Sequence, residues 1–91
     1  MLESPIYTNY RDAFSDMQMH TELGTPFKLT YRRVDGSLNI VTKALLRKQT
    51  PKHKDSKASY KFNYIDQQND QLGAAYIPLL LAVNDKQIRL Q

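Results

Sequence analysis

Apolar residues first recur at helical spacing. Tyr10, Phe14, Met17 and Thr21 stand three or four positions apart with polar residues between them, which predicts a helix of about three or four turns. Thr8 or Asn9 can cap its start, and Asp12 lies in the first turn, where the helix dipole favours an acid. Gly24 followed by Thr25 and Pro26 ends it. The apolar stripe is thin, so this helix needs a surface to lie on.

From Phe27 the period changes to two. Phe27, Leu29 and Tyr31 share one face and Lys28, Thr30 and Arg32 the other, the pattern of a half-buried strand. Asp35-Gly36 supplies a pair that tolerates positive φ, as a two-residue hairpin turn requires. Counting outward from that turn sets Tyr31 opposite Ile40, Leu29 opposite Thr42 and Phe27 opposite Ala44. The same register opposes Lys28 and Lys43, a repulsive pair or one edge of an anion site. The second strand runs to about Lys48, and the successive Leu45 and Leu46 suggest a bend or cover on both faces. "QTPKHKDSK" follows with no large apolar group, which predicts a loop. "ASYKFNYID" alternates as a third strand with Tyr60, Phe62 and Tyr64 inward, "QQND" turns the chain, and "LGAAYI" forms a fourth strand. Pro78 lacks a backbone donor and fixes φ, so "PLLLAV" reads as one helical or 3₁₀ turn whose leucines plug the core. Asn84-Asp85 turns again, and "KQIRLQ" forms a last strand with Ile88 and Leu90 inward.

These elements predict a mainly β (α+β) protein, with an N-terminal helix followed by a five-stranded open barrel and a short helical turn before the last strand. Residues 1–91 form a single domain, 1–24 helical and 27–91 the barrel. The layout resembles SH3-like and Sm-like small barrels. "AAYIPLLLAV" is similar to the end of an SH3 domain, with Tyr76, Ile77 and Pro78 in the places of its Tyr-Ile-Pro run. SH3 peptide recognition uses a tyrosine after that proline and a tryptophan elsewhere; this chain has Leu81 and no tryptophan. The resemblance therefore implies the barrel and not the Pro-rich ligand. A second resemblance, to the WYL domain of bacterial regulators, runs through "LTYRRVDGS", Leu46, "SYKFNYID" and "AAYIPLLL", and implies a similar topology in regulatory company.

Composition narrows the chemistry. The chain has no cysteine, which removes disulfides and thiolate metal sites. Its start lacks a basic residue followed by an apolar run, so no secretory signal is expected and the cytoplasm is the expected compartment. "AAYIPLLLAV" is about half the ~20 residues of a membrane-spanning helix. The three glycines stand apart at 24, 36 and 73, so no phosphate loop is present. His20 and His53 are the only groups suited to general-base work near neutral pH, and neither has a motif beside a nucleophile. His20, late in the helix, suits the C-terminal end of the dipole. No enzyme, metal or small-molecule cofactor is expected.

Charge gives the one functional signal. Of the net +4, residues 1–42 contribute −1, residues 43–61 +6 and residues 62–91 −1. Phosphate binding needs several cations on one surface, and Arg47, Lys48, Lys52, His53, Lys54, Lys57 and Lys61 could supply three to five contacts. Lys43, Arg47 and Lys61 would share one sheet face if the second and third strands pair. The bland reading is a solvated loop whose lysines discourage edge aggregation. Tyr60, Phe62 and Tyr64 could stack bases, although aromatic residues at period two are more often core, and Tyr7 and Tyr10 could be exposed contacts. The expected function is a non-enzymatic accessory module that contacts DNA or RNA through the basic loop. The alternative is a protein-interaction module, or a homodimer built on the barrel edge, the helix or the "PLLLAV" turn.

Overall fold

The computed structural model describes residues 6–47 and 60–90. It is mainly β with one helix. In chain order the elements are β1 (Ile6–Tyr7), α1 (Tyr10–Glu22), β2 (Phe27–Arg32), β3 (Leu38–Leu46), β4 (Lys61–Asp66), β5 (Gln71–Tyr76), a 3₁₀ turn (Ile77–Leu79), β6 (Leu80–Val83) and β7 (Lys86–Ile88). The strands form one open sheet in the order β1-β7-β6-β2-β3-β4-β5, seven strands where five were expected. The expected end of the second strand at Lys48, the 49–57 loop and the start of the third strand at Ala58 and Ser59 lie outside the described residues.

The helix matches its prediction. Asn9, not Thr8, is the cap; its side chain accepts from the Asp12 backbone N–H at 2.9 Å. Gly24, at φ 70°, carries the chain out of the helix in a left-handed conformation that glycine adopts without Cβ strain. The thin stripe finds its surface on the inner face of the sheet. Ala13 and Met17 are buried, and Phe14 meets Phe62 edge to face with ring centroids 5.2 Å apart. The Thr21 hydroxyl donates to Met17 O at 2.8 Å and accepts from Leu46 N at 3.0 Å, joining the last helical turn to the end of β3. At the other end, the Tyr10 hydroxyl donates to Pro78 O at 3.3 Å.

The β2–β3 hairpin differs from the expected register by one residue. Gly36 N donates to Arg33 O and Arg33 N donates to Ser37 O, closing a three-residue loop of Val34, Asp35 and Gly36. A two-residue turn of the favoured kind needs positive φ at both central positions. Only Gly36, at 91°, has it here. Asp35 instead accepts from the Ser37 hydroxyl at 2.7 Å and the Ser37 N–H at 2.9 Å. These bonds, the side-chain one foremost, hold its carboxyl below the ordinary aspartate value. The shifted register pairs Leu29 with Val41 and Tyr31 with Asn39. Val41 is therefore inward at 4% exposure, whereas Ile40, expected inward, is 50% exposed, and Thr42 is exposed as well. A bulge restores the inner face. Phe27 still pairs with Ala44, so Thr42 and Lys43 together oppose Lys28. Lys28 forms no anion site with Lys43, because its Nζ is 2.8 Å from Asp85 Oδ1.

The second half of the chain holds one unexpected strand. Only Ile77–Leu79 forms the 3₁₀ turn, with Pro78 near its start. Leu80–Val83 then runs back as β6, antiparallel to β2, pairing Leu29 with Val83 and Tyr31 with Leu80. Leu80, Ala82 and Val83 are buried, so the run fills the core as a strand and not as a helical plug. Asn84 and Asp85, at φ 52° and 64°, make the true two-residue hairpin turn into β7. Leu90 lies past the end of β7 and is exposed, against expectation. The other unexpected strand is β1, which pairs parallel with β7; Arg89 N donates to Tyr7 O at 2.8 Å.

A polar chain enters the core beside the first hairpin. Arg33 donates to Asn39 Oδ1 at 2.9 Å, Asn39 Nδ2 donates to the Tyr31 hydroxyl at 2.8 Å, and the hydroxyls of Tyr31 and Tyr64 lie 2.7 Å apart. Both tyrosines are buried. Burial, then the bond to Tyr31, pushes the Tyr64 phenol well above the ordinary tyrosine range. An unfolded tyrosine ionises near pH ~10, so this stabilisation is complete below about pH 10 and is lost as pH rises above it. Denaturant midpoints followed through the alkaline range should fall less steeply for Tyr64→Phe than for the wild type. Equal slopes would show that Tyr64 ionises as readily in the folded chain as in the unfolded one.

Candidate nucleic-acid interface

The pairing of β3, β4 and β5 sorts their side chains onto two faces. Leu46 pairs with Tyr64, Tyr64 with Gly73 and Phe62 with Ala75, and these five positions line the inner face with the helix. Leu45 pairs with Ile65, Ile65 with Leu72, Asn63 with Ala74 and Lys61 with Tyr76, all on the outer face. Arg47 follows β3, and its N–H donates to Asn63 O at 3.0 Å, which extends the same register by one pair. Lys43, Arg47 and Lys61 therefore share the outer face, as the sequence anticipated. At one end this face is apolar, through Leu45, Ile65 and Leu72. At the other, Arg47, Asn63, Lys61 and Tyr76 gather where residues 48–59 join β3 to β4.

Local contacts give that end its character. The Lys61 ammonium lies 5.9 Å from the centroid of the Tyr76 ring, within cation–π range. Arg47 is exposed and Lys61 half-buried. Tyr60 corrects one expectation: it precedes β4 and is 60% exposed, so it is no part of the core. Phe62 and Tyr64 are buried, as their spacing predicted. An exposed tyrosine thus stands beside Lys61 at the base of the basic stretch. Sequence reasoning assigned Tyr60 inward because alternation alone does not say where a strand begins. Of the seven predicted contact residues, Arg47 and Lys61 fall at this edge, while Lys48, Lys52, His53, Lys54 and Lys57 lie outside the described residues.

The remaining candidates have other roles. Asn84 Oδ1 accepts from Lys28 N at 2.8 Å, which turns its Nδ2 toward His20 Nε2, 3.3 Å away. The His20 ring packs beside Phe27, with centroids 6.3 Å apart, in the last turn of α1. Tyr7 and Tyr10 are not exposed contacts either. Tyr7 is buried with its hydroxyl donating to Asp16 at 2.7 Å and with Lys86 4.3 Å from its ring centroid, and Tyr10 packs against the core. Among the described residues no group of three or more His, Asp or Glu side chains could hold a metal ion. No described helix is long and apolar enough to cross a membrane. No protein family, curated protein or solved structure matches the chain.

Proposed function

We propose that the protein is a non-enzymatic binding module that contacts DNA or RNA through the basic end of its outer sheet face. The observation that carries this reading is the common face of Arg47, Lys61 and Tyr76, with the exposed Tyr60 beside them, at the root of a stretch worth +6. Cations alone on a loop are commonly solvated. Cations beside aromatic rings on a rigid sheet offer both terms that nucleic acid uses, phosphate neutralisation and base stacking. Lys48, Lys52, Lys54 and Lys57, with His53 among them, carry most of that +6 charge in the sequence between β3 and β4. The central strands, β6-β2-β3-β4-β5, fit a small open barrel of the SH3-like kind. Support comes from the 3₁₀ turn that sends the chain back to pair β6 with β2.

A fluorescence anisotropy titration against mixed-sequence single-stranded and duplex oligonucleotides, at about 50 and 200 mM salt, tests the proposal. Three to five phosphate contacts give a log–log salt slope of about −3 to −5 on duplex DNA. Replacing Lys52, Lys54 and Lys57 together with Ser should leave the melting temperature nearly unchanged and make that slope shallower by about 3. Absence of binding at low salt, or binding indifferent to salt, would defeat the nucleic-acid reading.

A further inference from the structure

We infer that a second copy of this chain pairs antiparallel along the β5 edge, extending the sheet across a two-fold axis. Among the described residues no strand pairs with the outer edge of β5. Such edges are ordinarily blunted by lysine, proline, a bulge or shortness. This one has none of the four. Gln71–Tyr76 holds six residues, no charged side chain and no proline, and its register with β4 runs unbroken from Lys61–Tyr76 to Asp66–Gln71. The opposite edge, β1, is two residues long and offers little to a partner.

The occupant of such an edge must be an extended segment, and charge selects among the candidates. An acidic or basic peptide gains no ion pair along an uncharged strand, whereas a second β5 brings an edge of the same length that is already extended and equally neutral. A two-fold axis normal to the sheet makes the pairing antiparallel and keeps inner face with inner face. Centred on Ala74, it sets Leu72 opposite the partner's Tyr76 and Gly73 opposite the partner's Ala75. Leu72 is 62% exposed on the outer face, so the pairing covers an apolar side chain with an aromatic one at each end. Electrostatics favours the same arrangement. The +6 stretch enters β4 at Lys61, opposite Tyr76, so antiparallel β5 strands set the two basic ends at opposite ends of the shared edge. Pairing is isologous and closes at two copies.

Sedimentation equilibrium of the full chain, from about 5 to 500 µM, tests this inference over the range of a weak association. The mass should rise from 10.6 kDa toward twice that value and stop there. Ala74→Lys sets two ammonium groups across the axis, and Leu72→Lys adds a charge at each end; both side chains point outward, so the variants should keep the wild-type melting curve and remain monomeric. Should either variant fail to fold, hydrogen exchange of the wild type decides: amides of residues 72–76 gain protection as concentration rises. Overturning results are a monomer at the highest concentration, growth past two copies, β5 amides indifferent to concentration, or a dimer that survives Ala74→Lys but is broken by Ile40→Lys. The inference is independent of nucleic-acid binding, since none of these readouts includes an oligonucleotide.

Discussion

Truncating Phe62 to alanine will cost about 3 to 5 kcal/mol of folding stability. Phe62 is 2% exposed near the start of β4, paired with the buried Ala75, and its ring receives Phe14 edge to face at 5.2 Å and 85°. Tyr64 lies on its other side at 6.3 Å. The loss therefore removes transfer free energy, leaves a cavity and withdraws the ring on which the helix rests. A domain of this length is stable by only about 5 to 13 kcal/mol, so the variant should melt far below the wild type and approach unfolding at physiological temperature. Urea denaturation measures it. In a cycle with Phe14→Ala, the two substitutions should show a coupling of about 0.5 to 1.5 kcal/mol. A Phe62→Ala protein that melts like wild type would place Phe62 at the surface and undo the inner face described for β4.

Gly73→Ala carries the second largest expected effect, and its sign runs against the usual rule. Alanine in place of glycine in a strand ordinarily stabilises by roughly 0.5 to 1 kcal/mol, because glycine loses more backbone freedom. Gly73 does not use positive φ, so backbone conformation gives no reason for glycine here. Packing does. A Cβ at this position would sit 2.4 Å from Cζ and 2.5 Å from the hydroxyl oxygen of Tyr64. The ring cannot step aside cheaply, since its hydroxyl is bonded to Tyr31, which in turn accepts from Asn39. The substitution should destabilise by about 1 to 3 kcal/mol through overpacking. Repeating it in a Tyr64→Leu background isolates the cause: there the cost should vanish or reverse. An undiminished cost would mean that Gly73 is required for something other than the ring.

Periodicity revealed the elements whose two faces differ. The helix over Tyr10–Glu22 and the strands at Phe27–Arg32 and Lys61–Asp66 each have one buried and one open face; the buried residues of the two strands and Met17 of the helix were readable in advance, while the buried Ala13 was not. Leu80–Val83 was not, because four apolar residues in succession after a proline have no period and fit a helical turn as well as a covered strand. The register of the first hairpin escaped for a different reason. Asp35-Gly36 satisfies two loop lengths, and the choice rests on whether Asp35 takes positive φ or caps Ser37, which the residue types leave open. β1 left no signal, since two residues cannot display alternation. Of the candidate interface, the shared face of Lys43, Arg47 and Lys61 was legible as a matter of strand parity. The exposure of Tyr60 was not, because it depends on where β4 begins. The companionship of Lys61 with Tyr76 required the β4–β5 register, which no local pattern specifies.

The parallel pairing of β1 with β7 has a kinetic meaning. It joins Ile6 to Gln87 and Tyr7 to Ile88, across nearly the whole chain, whereas the β2–β3, β4–β5 and β6–β7 pairings are closed by short turns. Contacts so distant in sequence recover their closure entropy only after the intervening chain is in place. β1 should therefore form late and open early, although Tyr7 and Tyr10 also tie the leading end of α1 through Asp16 and Pro78 O. Exchange with solvent should begin there, so that the helix is free to lift from Phe62 while the central strands are still folded.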